Sequence, residues 1–365
     1  MNKNTLYNLW LTSLKGMGSI RQHSVLSVFG TAEKAYKATK VDINDMQWLS
    51  ATEKKILCDK NLSEAERIYK DCEQKGIDIV EYTSPDYPLL LKKIPDYPLV
   101  LYVKGKLGNM MDEFPLAMVG SRSPSVYGKK IAEQFSYEIA AAGMTIVSGM
   151  ARGIDSLCHQ GALKAGMKTV AVLGCGVDVV YPPENAQLMK VIESSGAVVS
   201  EYPPGTAPLP AHFPPRNRII CGMSLATMIV ECAEKSGTMI TANMANEYGR
   251  TVYTVPTNID NKHGTGNIAL ARDGAKFAYS SKDIYLDFVK SEPVRVSAGL
   301  TKKENNPVND ADNYILGMLS NSIPVGVDQL CERTGLTPKE LGAKMTLLEL
   351  EGKVSCLSGQ RYILS

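Results

Sequence analysis

Charged and aromatic side chains come together in one short segment of the sequence. Arg216 and Arg218 flank Asn217 directly after a proline-rich stretch, and Phe213 lies three residues before Arg216. A guanidinium can bind a phosphate while an aromatic ring stacks on an unpaired base, and single-stranded DNA offers both groups. The segment is therefore a candidate contact for a nucleic-acid strand.

The two arginines of this segment are expected to have different roles. Residues two positions apart cannot share one face of a helix, because each step turns by about 100°, and the apolar residues from Ile219 onward indicate that a helix begins here. One arginine should face DNA and the other should anchor the loop on a carboxylate, with Arg218 favoured as the DNA contact. The alternative is that the arginines simply pair with Glu201 or Glu231.

Four glycine-rich stretches follow predicted strands. Glycines at such places let backbone N–H groups and helix N-termini approach an anion, which suits phosphates. Each stretch alone could be a plain turn, but four of them at one edge of a sheet favour a phosphate-binding surface. The candidate residues are Gly120, Ser121 and Arg122, then Gly149, Arg152 and Gly153, then Gly174 and Gly176, and finally Ser236, Gly237 and Thr238.

Two familiar nucleotide-binding motifs are missing. Seven residues separate Gly120 from the Gly-Lys-Lys at 128–130, and no Ser or Thr follows the lysine, so this is not a Walker A loop. The Gly-Cys-Gly at 174–176 is followed by Val179 where a dinucleotide fingerprint has its third glycine. The sequence also lacks a Ser–His–Asp pattern, a spaced carboxylate pair and a metal-ligand set. We therefore expect no catalytic residue, no metal and no cofactor.

The bulk composition excludes some classes of protein. The chain has 365 residues, of which 44% are hydrophobic and 21% charged, as in ordinary globular proteins. A formal net charge of +2 means that nucleic-acid binding would depend on local clustering of charge. We find no signal peptide and no apolar run of the roughly 18 residues that a membrane helix needs, so the expected location is the cytoplasm. The eight scattered cysteines lack any C-x-x-C pair and are expected to be free, mostly buried thiols.

Residues 1–75 are predicted to be entirely helical. Leu6, Leu9 and Leu14 recur at helical spacing before the Gly-Met-Gly at 16–18, and a second apolar helix follows. Two helices around a tight glycine turn resemble a helix-hairpin-helix or SAM-like domain, in which the turn can hold a DNA phosphate. A helical packing module without DNA contact is an equally good interpretation.

Residues 76–289 alternate between strands and helices. Short runs rich in Val, Ile and Ala leave through Gly or Ser into helices, which is typical of an α/β fold with an extended Rossmann-like, doubly wound parallel sheet. Ligands of such sheets lie at the carboxyl ends of the strands. The predicted strands are 77–82, 99–103, 116–120, 145–148, 169–173, 197–200, 227–231 and 251–255, and the clearest helices are 129–142, 155–165, 184–194 and 240–248.

The C-terminal part is predicted to be a linker at 290–310 and a winged helix at 311–365. A capping box at 337–340 has proline at the first helical position, and a hairpin turns at Ser358 and Gly359. The third helix, at 339–351, holds more acidic than basic residues, which makes it a poor reader of the major groove. A protein-contact or regulatory role is therefore favoured over duplex binding.

Six ordered segments resemble one known family. They are "VGSRSPSVYG", "SGMARGIDSLCHQGAL", "VLGCGVDVVYPPEN", "FPPRNRIICG", "VECAEKSGTMITANMANEYGR" and "GTGNIALARDGA". Together they resemble the DNA-processing protein A family (DprA, also called Smf), closely over residues 70–285 and more loosely in the flanking modules.

The resemblance implies a non-enzymatic protein that binds and protects incoming single-stranded DNA and loads a RecA-type recombinase during natural transformation. It also implies a homodimer formed by the central domain, with single-strand-binding protein as a further partner and no membrane. Arg122, Phe213, Arg216 and Arg218 match the family's DNA-contacting positions. Relatives often have a basic residue where this chain has Pro183, and the candidates to replace that phosphate contact are Lys190 and Arg152.

Two other functions compete with this one. Some related Rossmann-like proteins are nucleoside monophosphate (phosphoribo)hydrolases, and their phosphate loop resembles the Ser-Gly-Thr at 236–238. Such enzymes usually carry "PGG-x-GT", whereas this chain has "EKSGT", although Glu231 or Glu234 could supply a carboxylate. A purely structural or partner-binding α/β protein fits the missing catalytic groups but not the edge suited to phosphate.

Overall fold

The protein is described by a computed structural model that covers residues 3–108 and 114–289, and parts of the C-terminal region. These parts are 315–316, 318–319, 325–334, 336–337, 341–342, 344–345, 348–349, 353–357 and 361–364. The chain divides into two compact units, Met1–Pro293 and Val294–Ser365. The predicted linker at 290–310 lies outside the described residues. In the described parts, no helix combines the length and apolar character needed to cross a bilayer.

The N-terminal region is helical throughout, as predicted. Trp10 is fully buried at its centre, and Gly16 makes the turn after the first helix with a φ of +91°. Two of the later helices begin with complete capping boxes, which satisfy backbone N–H groups that the first helical turn leaves unpaired. The helices are α1 (Lys3–Ser13), α2 (Ser19–Phe29), α3 (Ala32–Lys37), α4 (Lys40–Asn44), α5 (Ala51–Leu57) and α6 (Ser63–Lys75).

A nine-stranded sheet forms the centre of the first unit, with the order β1-β2-β6-β5-β4-β3-β7-β8-β9. From β6 to β9 all neighbours are parallel, whereas β1 and β2 pair antiparallel at one edge. The chain winds outward from β3 to β6 and then returns to the other side of β3 with β7, which confirms the doubly wound prediction. The strands are β1 (Asp78–Glu81), β2 (Val100–Gly105), β3 (Leu116–Val119), β4 (Ile146–Ser148), β5 (Thr169–Val172), β6 (Ala197–Ser200), β7 (Ala226–Ile229), β8 (Thr251–Thr254) and β9 (Lys276–Phe277).

Helices cover both faces of this sheet. Leu116 and Met118 of β3 pack in the core of one face, whereas Ala117 and Val119 pack in the core of the other, as the alternation of a strand requires. The first face is covered by α7 (Val126–Ala141), α8 (Ile154–Lys164) and α13 (Ser281–Val289), and the second by α10 (Phe213–Gly222), α11 (Gly237–Glu247) and α12 (Thr265–Arg272). A further helix, α9 (Ala186–Ser195), leads into β6.

The N-terminal helices share a hydrophobic core with the sheet. Leu9 and Ile68 belong to the same buried cluster as Ala171 and Val198. The sequence pattern changes at about residue 75, but the apolar core runs across that point without a break. The helical module and the sheet therefore form one compact unit.

The second unit has its own small core. Its described elements are β10 (Val325–Gly326), α14 (Val327–Thr334), β11 (Val354–Leu357) and β12 (Arg361–Leu364), and the strands pair antiparallel in the order β10-β12-β11. Leu330 of α14 is buried with Ile315 and Val354. A hairpin packed on helices agrees with the predicted winged helix. The capping box at 337–340, the helix at 339–351 and the turn at Ser358 and Gly359 fall partly or wholly outside the described residues.

Candidate nucleic-acid interface

The four glycine-rich loops lie at one edge of the sheet. They follow β3, β4, β5 and β7, which are parallel neighbours, so their carboxyl ends point the same way. The chain reverses its winding direction between β3 and β7, and this switch point opens a crevice where α/β proteins bind ligands. The predicted shared edge is confirmed.

An open groove of about 590 Å³ occupies this edge, and we call it the central groove. A smaller pocket adjoins it and shares Arg122, Phe213 and Arg216 with it. Of the predicted residues, the central groove is lined by Gly120, Ser121, Arg122, Phe213, Arg216, Asn217, Ser236, Gly237 and Thr238, and the adjoining pocket adds Gly149, Arg152 and Gly174.

Two aromatic rings form one wall of the groove. The rings of Phe213 and Tyr181 lie 5.4 Å apart between centroids. The exposed guanidinium of Arg122 lies 5.6 Å from the centre of the Phe213 ring. Tyr181 was not singled out from the sequence, although it stands within the "VVYPPEN" segment. This wall combines an exposed positive charge with flat apolar surface.

Arg216 supports the groove from beneath. It is buried, and its Nη1 donates to the carbonyl oxygens of Gly149 and Val172. A Cβ at residue 149 would lie 2.5 Å from that Nη1, so only glycine allows the close approach. Asp155 is also buried and accepts a 3.2 Å hydrogen bond from the Gly149 N–H. Burial raises the pKa of Asp155 and lowers that of Arg216, and the charge of each opposes the shift of the other.

The N-terminus of α11 also lines the groove. Ser236 precedes the helix in an extended conformation and makes no capping hydrogen bond. The first N–H groups of a helix carry partial positive charge and need acceptors. Ser236, Gly237 and Thr238 therefore present donors to the groove.

Arg218 is the arginine of the pair that carboxylates anchor, and it is not a contact of the central groove, where the prediction placed it. Its Nη2 donates to Glu201, and its Nε lies 3.4 Å from a carboxylate oxygen of Asp96. Its side chain is only 6% exposed, and it does not line the central groove. The alternative of an ion pair with Glu201 holds for this arginine.

The other predicted residues lie at or beyond the border of the groove. Gly153 has a φ of +75° and packs against the Ser121 carbonyl oxygen, so it shapes the Arg122 loop. The Gly176 N–H donates to the Thr206 carbonyl oxygen at 3.0 Å, away from both cavities. These two glycines support loops and do not line the cavities.

The candidates to compensate for Pro183 are differently placed. Arg152 lines the adjoining pocket but also pairs with Glu184, which directly follows Pro183. Lys190 is exposed on α9 and lines neither cavity. Of the two candidates, only Arg152 lines a cavity, and it already has a carboxylate partner.

Glu231 could supply the carboxylate that a hydrolase needs, but its side chain is engaged in hydrogen bonds that hold loops together. It is 2% exposed, and its carboxylate accepts hydrogen bonds from the N–H and Oγ of Ser125 and from Nδ2 of Asn261. Its carbonyl oxygen accepts from the Ser121 N–H at 2.7 Å. The residue ties together the loops that follow β3, β7 and β8. In the parts of the chain that are described, no three His, Cys, Asp or Glu side chains are grouped to hold a metal.

The described cysteines agree with the prediction of free, mostly buried thiols. Seven cysteines are described as free, and five of these are buried. Cys356 is not among the side chains described. Burial raises the pKa of Cys232 to about 12, which makes this thiol a poor nucleophile beside the groove.

Comparison with known proteins gives consistent matches. Residues 78–289 match the family described as DNA recombination-mediator protein A, and residues 301–360 match the DprA winged helix domain. Protein Smf of Synechocystis sp. is 30% identical, with 99% of each chain covered. The crystal structure of DNA processing protein A from Streptococcus pneumoniae matches with a TM-score of 0.63 and 32% identity, covering 78% of this chain and 98% of that one.

A second solved structure concerns DNA processing protein A from Helicobacter pylori, described for its single-stranded DNA binding mode. It matches with a TM-score of 0.54 and 26% identity, covering 59% of this chain and 96% of that one.

Proposed function

The chain belongs to the DNA recombination-mediator protein A family, and from this premise we propose that it binds single-stranded DNA in the central groove. The observation that carries the proposal is the exposed Arg122 beside the Phe213 and Tyr181 rings, in one groove with the N-terminus of α11. Guanidinium and helix N–H groups suit backbone phosphates, and the rings suit unstacked bases. A related protein from Helicobacter pylori is described as binding single-stranded DNA.

Each wall of the groove contributes a different part of this binding. Arg122 is exposed and can follow a phosphate, whereas Arg216 is held by backbone carbonyls and supplies fixed positive charge from below. Phosphate contacts and stacking on rings do not distinguish one base from another. The central groove should therefore accept strands of mixed sequence.

The experiment that tests this function compares strand forms. Fluorescence anisotropy should give much tighter binding of a mixed-sequence single strand than of the blunt duplex of the same sequence, because paired bases cannot stack on Phe213. Titration at several salt concentrations should show affinity falling with salt. Equal affinity for single strand and duplex would refute the proposal.

A mediator must also deliver the strand to a recombinase. We propose that the protein protects incoming single strands and loads a RecA-type recombinase on them during natural transformation, with single-strand-binding protein as a further partner. Family membership supports this role. The measurement is the rate of recombinase filament formation on strands already covered by single-strand-binding protein, with and without this protein. No acceleration would count against loading while leaving DNA binding intact.

The central domain is also proposed to form a homodimer. Strand β9 is the edge of the sheet, and Phe277 and Tyr279 next to it are 41% and 75% exposed, with ring centroids 5.7 Å apart. An exposed edge strand with apolar rings favours pairing with another chain. Light scattering on wild type and on Tyr279→Ser tests this, and equal masses for the two proteins would place the interface elsewhere.

We propose non-catalytic roles for the winged helix and for Glu231. The winged helix should contact protein or regulate the central domain, since its predicted third helix carries more acidic than basic residues. We propose no turnover of nucleoside monophosphates, because both oxygens of Glu231 are taken up in holding loops. Product formed by wild type and lost in Glu231→Gln would revive the hydrolase hypothesis.

A further inference from the structure

A second cleft of about 580 Å³ lies on the other side of the Phe213–Pro215 segment. We call it the proline cleft, because its walls include Pro98, Pro203, Pro214 and Pro215. Gly18 and Ser19, in the turn before α2, close it from the N-terminal region. Its volume is in the range of small-molecule sites. The function proposed above makes no use of it.

Hydrogen-bond donors and acceptors both line this cleft. Arg218 contributes a guanidinium whose buried Nη1 has no hydrogen-bond partner among the described residues. Glu201 and Asp96 both pair with Arg218, yet their side chains remain 16% and 20% exposed. An unmet N–H in so buried a group is costly, so an acceptor that reaches it from the cleft would be stabilised there.

The balance of charge selects the kind of ligand. Two carboxylates and one guanidinium line the cleft, so a phosphate dianion would be repelled more than attracted. The surroundings instead suit a neutral, flat group that has an acceptor directly beside donors. The walls of proline, together with Leu99 and Met244, offer apolar surface to its faces.

A guanine base has this pattern. Its O6 and N7 accept from arginine, and the neighbouring N1–H and N2 amino group donate to a carboxylate. Proteins hold extruded bases in the same general way, with apolar stacking on the faces and hydrogen bonds to the base-pairing edge. In the proline cleft, Nη1 of Arg218 would donate to O6 while Glu201 accepts from N1–H and the amino group.

We propose that the proline cleft binds a guanine base of the strand held in the central groove. Pro214 lines both cavities, so a strand that crosses the Phe213–Pro215 segment passes from one into the other. The proposal rests on the function proposed above for the strand itself. It adds a preference for guanine to a surface that otherwise accepts any sequence.

The test measures a guanine increment, which is the affinity ratio between two oligothymidines of about 20 nucleotides, one with a single central guanine and one without. Wild type should bind the guanine-containing strand about five- to tenfold more tightly, the lower range for one bidentate base contact. Inosine in place of guanine, which lacks the N2 amino group, should give a smaller increment. Free deoxyguanosine at excess should abolish the increment, whereas thymidine should not.

Two variants connect the increment to this cleft. Gly18→Leu adds a bulky side chain to its wall, and nothing lies within 4 Å of the added Cβ at a φ of −69°, so the backbone is not strained. Glu201→Gln keeps the shape but replaces one of the two acceptor oxygens by an NH₂ donor, so N1–H and the amino group can no longer both be accepted. Both should lose the increment and bind the plain oligothymidine as wild type does. Ser27→Leu, an exposed position on α2, is the matched control and should keep the increment.

The outcomes separate the two proposals. Binding of plain oligothymidine with no guanine increment in wild type would overturn the guanine site and leave the central groove intact. An increment that survives in both Gly18→Leu and Glu201→Gln would also overturn it, because the preference would then arise elsewhere. Failure to bind either strand would overturn the proposed function instead.

Discussion

The central groove and the proline cleft lie on either side of one stretch of chain, and the two arginines after that stretch face different surroundings. Arg216 is held by two backbone carbonyls with one carboxylate, Asp155, beside it. Arg218 is held by two carboxylates, Glu201 and Asp96. With Arg122 added, the central groove therefore keeps a net positive charge, as phosphates require, whereas the two carboxylates around Arg218 leave the proline cleft net negative. Arginine content alone does not tell which surface can bind an anion.

The largest expected effect distinguishes the anchor from the groove. Arg218→Ala should lower the free energy of unfolding by about 3 kcal/mol, because it leaves two largely buried carboxylates without their cation. Denaturant unfolding measures this change. Arg152→Ala removes an ion pair whose side chains are 55% and 50% exposed, and it should leave the unfolding midpoint almost unchanged. Equal losses for the two variants would contradict the assignment of Arg218 as the anchor.

Replacing Arg122 should weaken DNA binding and leave stability unchanged, whereas replacing Arg218 should lower stability. Arg122→Ala should leave the unfolding midpoint nearly unchanged, since the side chain is exposed. It should weaken single-strand binding by about 1.5–3 kcal/mol and reduce the salt slope by about 0.7, the share of one phosphate. Arg272→Ala, a similarly exposed arginine on α12, is the matched control. A weaker affinity with an unaltered slope would mean that Arg122 shapes the groove and does not touch phosphate.

The smallest of the three effects separates stacking from charge. Phe213→Ala should weaken binding by about 1 kcal/mol, the lower end for a stacked base, because the Tyr181 ring remains. The salt slope should stay at the wild-type value, since no phosphate contact is removed. Anisotropy at several salt concentrations gives both quantities. A change of slope as large as that of Arg122→Ala would show that the ring acts by positioning the guanidinium.

The sheet was predictable because five of its parallel strands, β3 to β7, are short, continuous runs of buried residues. The predicted strand 197–200 coincides with β6, and 116–120 differs from β3 by one residue. The two residues of β9, both exposed, carry no such pattern. The change of pattern near residue 75 gave no indication that α1 and α6 share a core with β5 and β6, because that core is built from contacts distant in sequence.

The residues of the site could be located from the sequence, but the separate roles of its two arginines could not be assigned. Glycines after strands and the arginine segment could be located, since their chemistry is local. Helical geometry requires two roles for Arg216 and Arg218, but the assignment depends on Glu201 and Asp96, which reach Arg218 only in the folded chain. Tyr181 was missed because its partner ring, Phe213, is 32 residues away in the sequence.

The hydrogen bonds that join three loops through Glu231 affect the rate and the entropic cost of strand binding. Its carbonyl oxygen holds the Ser121 N–H, and its carboxylate holds Ser125 and Asn261, so three loops around the groove are joined through one side chain and one peptide group. Loops joined in this way have little freedom left to lose when a ligand arrives, which reduces the entropic cost of association. The free and bound backbones should then be nearly superimposable. Arrival of the strand would be limited by diffusion and electrostatic attraction, without a closing step.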